Sequence, residues 1–139
     1  MVNKLGSFAL ALLISSGFMA QVAFAQTPEE ILATLKTEAK ATAGFQNFSA
    51  ARGETFFKEK HGGEWSCTSC HTDNTTASGK HAKTGKVIQP LAPSANAERF
   101  TDPAKVEKWF KRNCNDVLSR VCTPQEKGDV LAHLLTVKK

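Results

Sequence analysis

The chain has no tyrosine, and its only methionines are Met1 and Met19. Beyond residue 25, therefore, no thioether side chain is available to a metal. Charge is scattered: no run of like charge is longer than two residues, as in Lys138-Lys139. Such a pattern leaves no basic arm for nucleic acid. Long apolar runs are also missing. The strongly apolar part near the start, Phe8 to Ile14, is far shorter than the roughly 20 residues that cross a bilayer. A soluble chain that does not span a membrane is expected.

What the first residues do contain is an export leader. Lys4 supplies the positive start, Phe8 to Phe24 an apolar stretch softened by Ser15, Ser16 and Gly17, and Ala23-Phe24-Ala25 an A-x-A cleavage site. Cleavage is predicted after Ala25, in a bacterial periplasm or an equivalent exported space. The 139 residues less 25 leave 114, Gln26 to Lys139, enough for one domain (26–139). Removing Lys4 from the 18 Lys and Arg leaves 17 against 13 Asp and Glu, a balance of +4. That mild excess suits an acidic partner protein and equally an ordinary solvated surface. A domain this small has a thin core, to which a large apolar cofactor would add.

Cys67-Thr68-Ser69-Cys70-His71 supplies that cofactor. C-x-x-C-H is the attachment signature of c-type haem. Each cysteine adds to one porphyrin vinyl group to form a thioether, and the next residue, His71, offers the proximal imidazole to iron. Two other readings share the C-x-x-C core, a redox dithiol and half of a zinc site. A thioredoxin-like dithiol needs a βαβ frame, and none is visible. A four-thiolate zinc site would need Cys114 and Cys122, whose C-x7-C spacing is too wide for the usual knuckle.

The remaining patterns are helical. Thr27-Pro28-Glu29-Glu30 opens a helix with a capping box and Pro at N1, Ile31, Leu32 and Leu35 form its apolar face, and Gly44 ends the segment. A second helix is predicted from Ser49 to Lys60. Gly53 within it implies a close crossing by another helix. Gly53-x-x-x-Phe57 ahead of the haem motif resembles the first helix of class I cytochromes c, where this Gly meets the C-terminal helix. From Thr72 to Pro93 the composition predicts a long loop wrapped round the cofactor, with Val87, Ile88 and Leu91 as apolar anchors lining the pocket floor. Asp102-Pro103 starts a third helix carrying Val106, Trp109 and Phe110 and ending near Arg112 or Asn113. Thr123-Pro124-Gln125-Glu126 caps the last helix, with Val130, Leu131, Leu134 and Leu135 as its buried stripe. His133 there reads as packing or surface.

Cys114 and Cys122 remain after haem attachment. In an oxidising compartment leftover cysteines usually pair. On one straight helix they would stand about 12 Å apart, beyond the roughly 7 Å reach of a disulfide. If they pair, the third helix must break between them. This region is where class I cytochromes bring a group to the distal face of iron. Without Met the candidates are His61, His81, His133, a Lys, Asn113, Asn115 or nothing. An amide oxygen is a hard donor and suits ferric better than ferrous iron.

Pro90-Leu91-Ala92-Pro93-Ser94-Ala95, Arg99-Phe100-Thr101-Asp102, Val106-Glu107-Lys108-Trp109, Arg112-Asn113-Cys114-Asn115 and Cys122-Thr123-Pro124 together resemble the Sphaeroides haem protein family. The likeness covers roughly residues 51 to 135. It implies a class I monohaem c-type cytochrome with His71 and Asn113 as iron ligands and a Cys114–Cys122 disulfide beside the Asn. It further implies that Asn113 leaves on reduction and that ferrous haem then binds oxygen or nitric oxide. Electron donors implied by the family are a dihaem cytochrome c and a membrane b-type cytochrome. His133 departs from the family by replacing a larger aromatic. The fold expected is all-α, a class I cytochrome c with an extra N-terminal helix and a long haem-wrapping loop. The function expected is electron transfer with reduction-gated binding of a diatomic ligand. The alternative is a simple electron shuttle whose ligand never leaves. Turnover of oxygen, peroxide or nitric oxide has no signature in the sequence.

Overall fold

The computed structural model describes residues 25–139. The expected leader, with Ala23 and Phe24 of its cleavage site, lies outside the described residues. Five helices and one small hairpin follow in order: α1 (Pro28–Lys40), α2 (Ala50–Lys58), α3 (Thr68–His71), β1 (Gly79–Lys80), β2 (Val87–Ile88), α4 (Pro103–Leu118) and α5 (Pro124–Thr136). Among the described residues no helix is long and apolar enough to cross a membrane.

Local chemistry sets the helix starts. At α1 the Thr27 hydroxyl accepts from the Glu30 amide at 3.2 Å, and the Glu30 carboxylate accepts from the Thr27 amide at 2.7 Å. Thr123 and Glu126 repeat this reciprocal cap on α5, at 3.2 and 2.8 Å. Asp102 caps α4 by accepting from the Lys105 amide at 3.1 Å. Each cap satisfies amides that the first helical turn leaves without partners.

Two apolar clusters hold the helices together. Ile31 and Leu35 of α1 meet Leu131 of α5, with Phe48, Phe100 and Val106 packed around them. Phe57 of α2 meets Val130 and Leu134 of α5, flanked by Cys67, Leu91, Phe100 and Phe110. The predicted crossing at Gly53 is present. A Cβ there would overlap the backbone carbonyl of Asp129, so α2 and α5 touch main chain to main chain. Beside the crossing Asp129 is buried at 5% exposure. Its carboxylate accepts from Arg52 Nε and Nη2, both at 2.9 Å, from the Ser49 amide at 2.7 Å and from Gln125 Nε2 at 3.1 Å. A buried carboxylate is tolerable when its oxygens are filled this fully.

Two helix ends and the inside of the long loop differ from expectation. α2 stops at Lys58, because Glu59 is already extended. α4 does not end near Asn113 but runs on to Leu118. Residues 113–118 contain neither Gly nor Pro, so no strong breaker stops the helix there. The break needed between Cys114 and Cys122 comes instead at Ser119, which adopts the left-handed conformation with φ of 57°. The long loop also contains a short antiparallel hairpin, pairing Gly79 with Ile88 and Lys80 with Val87. Successive strand residues point to opposite faces. Val87 is consequently 69% exposed and is no pocket anchor, whereas Leu91 does pack against the Phe57 cluster.

Gly53→Ala tests the crossing. An exposed helix would gain about 1 kcal/mol from this change. Here overpacking should cost about 1–3 kcal/mol instead, read as a lower thermal midpoint; a stabilised variant would contradict the contact.

Candidate functional site

Residues 66–72 fold as one helical turn held by hydroxyls. The Ser66 amide donates to Ser69 Oγ at 2.9 Å, and the Ser66 and Thr68 hydroxyls meet at 2.7 Å. The His71 amide donates to the Cys67 carbonyl at 3.0 Å. The turn brings Cys67, Cys70 and His71 together at i, i+3 and i+4 spacing. Thr68 and Ser69, the two residues between the cysteines, therefore shape the turn as well as setting the gap. The hairpin presses on it from outside. A Cβ at Gly79 would overlap the Cys70 carbonyl, and the Ala82 amide donates to Cys70 Sγ at 3.4 Å.

The donor set is suited to a covalent haem. Cys67 and Cys70 are both free thiols. Burial pushes the Cys67 thiol up to about 11, and Cys67 lies against the apolar wall of Phe57, Val130 and Leu134. Burial also pushes the His71 imidazole down to about 4, and the positive charge of Arg99 adds to the shift. A neutral imidazole is the form that ligates a metal. Among the described residues no three or more His, Cys, Asp or Glu gather to hold a metal ion. The two cysteine pairs thus do not converge into the four-thiolate arrangement that a zinc site requires.

α4 stands off from the other helices. α2 and α5 approach one another closely, as do α1 and α5, but α4 meets its surroundings through individual side chains. Val106 and Phe110 reach the two clusters, and Cys114 is buried. The Glu107 carboxylate accepts from Lys127 of α5. Val106, Phe110, Asn113 and Val117 recur at spacings of four, three and four, so they share one stripe. Three of these are at least partly buried, yet Asn113 is exposed. Trp109, one turn before Asn113 on the same side, is 48% exposed. Asn115 lies about 200° round the helix from Asn113 and faces away. Asn113 is thus a polar residue left open in the middle of a stripe whose other members are partly buried.

Beyond the end of α4 the chain reverses. The Cα atoms of Cys114 and Cys122 stand 5.6 Å apart, within disulfide reach. The Arg120 guanidinium donates to both oxygens of Glu126, at 2.8 and 2.6 Å, and ties the reversal to the start of α5. The hairpin tip meets α4 on the outside. Lys83 sits 4.7 Å over the Trp65 ring, and its Nζ is 3.7 Å from an oxygen of Asp116.

The histidines weighed as distal candidates are engaged elsewhere. His61 Nε2 lies 2.8 Å from the Phe56 carbonyl and its ring stacks near Phe56 at 4.2 Å. His81 Nδ1 accepts from the Thr84 amide at 3.3 Å in the hairpin turn. His133 is on α5, its ring 6.0 Å from that of Phe57. Sequence reasoning missed the hydroxyl web of Ser66 and the proximity of Arg99 to His71. Ser66-Cys-Thr-Ser had a readable hydroxyl pattern; Arg99 had no local signal.

A family model described as a domain of unknown function (DUF1924) matches residues 43–134. Cytochrome c-type protein SHP of Cereibacter sphaeroides is 45% identical over an alignment of 128 residues that covers 88% of this chain and 95% of that one. The solved structure of oxidized SHP, an oxygen binding cytochrome c, superposes with a TM-score of 0.71 at 43% identity, over 79% of this chain and 96% of that one. The solution structure of cytochrome c'' from Methylophilus methylotrophus, solved for insight into haem-ligand detachment, gives 0.68 at 40% identity, over 81% and 94%. The chain belongs to the Sphaeroides haem protein family, c-type cytochromes of all-α fold whose cofactor is one covalently bound haem c.

Proposed function

We propose that this cytochrome transfers electrons and that its reduction opens the distal side to a diatomic ligand, oxygen or nitric oxide. Cys67 and Cys70 hold the cofactor as thioethers, and His71 gives its neutral imidazole from the proximal side. Asn113 gives its amide oxygen from the distal side. Haem supplies an iron that changes between ferric and ferrous states and takes a gas ligand when ferrous. The amide oxygen is a hard donor, so Asn113 is held by the ferric state and released by the softer ferrous one. A Cys114–Cys122 disulfide next to Asn113 keeps that segment close while the amide is off, so the ligand can return.

The observation that carries this reading is the position of Asn113, exposed in the middle of the inward stripe of α4 with Asn115 turned away. The relatives add weight: one is an oxygen binding cytochrome c, and another was solved for haem-ligand detachment. The same reading takes residues 1–25 as an export leader and 26–139 as the cytochrome domain, working in the periplasm. A dihaem cytochrome c and a membrane b-type cytochrome would act as electron donors, following the family resemblance.

Replacing Asn113 with Ala should convert the ferric spectrum from six-coordinate to five-coordinate or water-ligated, while Asn115→Ala leaves it as in wild type. An unchanged Asn113→Ala spectrum would mean that another donor closes the iron. Carbon monoxide added to the reduced protein should shift the Soret band promptly; no shift would favour a shuttle whose ligand never leaves. Thiol titration of the unfolded, unreduced holoprotein should find none free, and two would contradict the Cys114–Cys122 bridge.

A further inference from the structure

The chain has four arginines, Arg52, Arg99, Arg112 and Arg120. Arg52 and Arg120 each grip a carboxylate with two nitrogens, of Asp129 and Glu126. Arg112 is exposed and lies 5.2 Å over the Trp109 ring. Arg99 differs from all three. It is half-buried, and no carboxylate among the described residues pairs with it. Residues 1–24 contain no Asp or Glu that could do so. Its Nε donates to the Pro90 carbonyl at 2.8 Å and one Nη to the Gln89 carbonyl at 2.7 Å. A guanidinium has five N–H donors, so three remain. Burial lowers the pKa of Arg99. A cation drawn in from water without a counter-ion is costly.

A second observation lies on the same strap of chain. Thr75 is 2% exposed and its Oγ1 has no hydrogen-bond partner. The Thr75 carbonyl accepts from the Leu91 and Ala92 amides at 2.9 and 3.0 Å. Arg99 and Thr75 are therefore both fastened to the short strap 89–92, Arg99 through its guanidinium and Thr75 through its carbonyl. A buried hydroxyl without a partner and a half-buried cation without an anion, both tied to one strap, would both be satisfied by an anion with several acceptor oxygens.

We infer that Arg99 and Thr75 form the subsite for a haem propionate, with Arg99 as its counter-ion and Thr75 Oγ1 as an additional donor. The inference rests on the covalent haem reading above. The sole anionic groups of a haem anchored through its vinyl thioethers are its two propionates. A carboxylate accepts a guanidinium fork and a hydroxyl at once. The strap 89–92 is then ordered by the cofactor as well as by its own hydrogen bonds, which gives the long loop a reason to follow the haem edge.

Resonance Raman spectra of the holoprotein read this directly, because the propionate bending band responds to hydrogen bonds on the carboxylate. Three variants are compared with wild type: Arg99→Gln, Arg99→Lys and Thr75→Val. Arg99→Gln should shift the band, Arg99→Lys should bring it part of the way back, and Thr75→Val should shift it less in the same direction. Thermal melts give the second readout. Removing an orphaned buried hydroxyl is neutral or stabilising, whereas removing one that holds a propionate lowers the midpoint. A band unmoved in all three variants, with Thr75→Val melting at or above the wild-type temperature, would overturn the subsite and leave Arg99 a brace for the strap. Should Arg99→Gln fail to fold, Thr75→Val and Arg99→Lys still decide. Wild-type protein without a Soret band would remove the haem reading itself, which is a different failure.

Discussion

The molecule is hung from the point where the bare Cα of Gly53 meets the Asp129 carbonyl. That approach brings the backbones of α2 and α5 into contact, and Phe57, Val130 and Leu134 close over the crossing as a flat apolar wall. Cys67 rests on this wall, so the haem motif takes its position from two helices distant in sequence. The Asp129 carboxylate, filled by Arg52, Ser49 and Gln125, fixes the angle at which the helices cross. A small core can hold this arrangement because its closest contact is between backbones, where few side-chain rotamers have to be frozen.

The opposite side is built on a different principle. α4 is tied by the Phe110 and Val106 side chains, by Glu107 to Lys127, and by buried Cys114, but its backbone keeps away from the other helices. Helices that pack on each other directly usually lie 8–10 Å apart; one that leaves more room needs something to fill it. The stripe running through Phe110, Asn113 and Val117 lies on this helix, with Asn113 open in its middle. α4 thus has fewer competing contacts, and a segment with fewer contacts moves more readily. The distal role proposed for Asn113 would put a detachable donor on this mobile helix.

Much of this was legible in the residues. Thr27-Pro28-Glu29-Glu30 and Thr123-Pro124-Gln125-Glu126 announced their helices because caps are local chemistry. Gly53 announced a crossing because a helix interior tolerates glycine poorly. The haem motif is also local, its cysteines and His71 lying within five residues. What was not legible was non-local or slight. The continuation of α4 to Leu118 turned on Ser119 adopting a left-handed conformation, which serine seldom does and no pattern foretells. The Val87 assignment failed because a two-residue strand is too short for alternation to register. The pairings of Arg52 with Asp129 and of Glu107 with Lys127 span 77 and 20 residues. No spacing rule reaches across such separations.

Lys83 touches both the Trp65 ring, just ahead of the haem motif, and Asp116, one turn past Asn113. The segment before the haem motif and the far end of α4 are thereby joined through a single flexible ammonium group at the surface. An exposed ion pair of this kind contributes about 0–1 kcal/mol and weakens as salt rises. The seam can bias how far α4 leans inward without locking it there. The closeness of the hairpin to α4 becomes partly a property of the surrounding electrolyte, tighter in dilute medium and looser in brine.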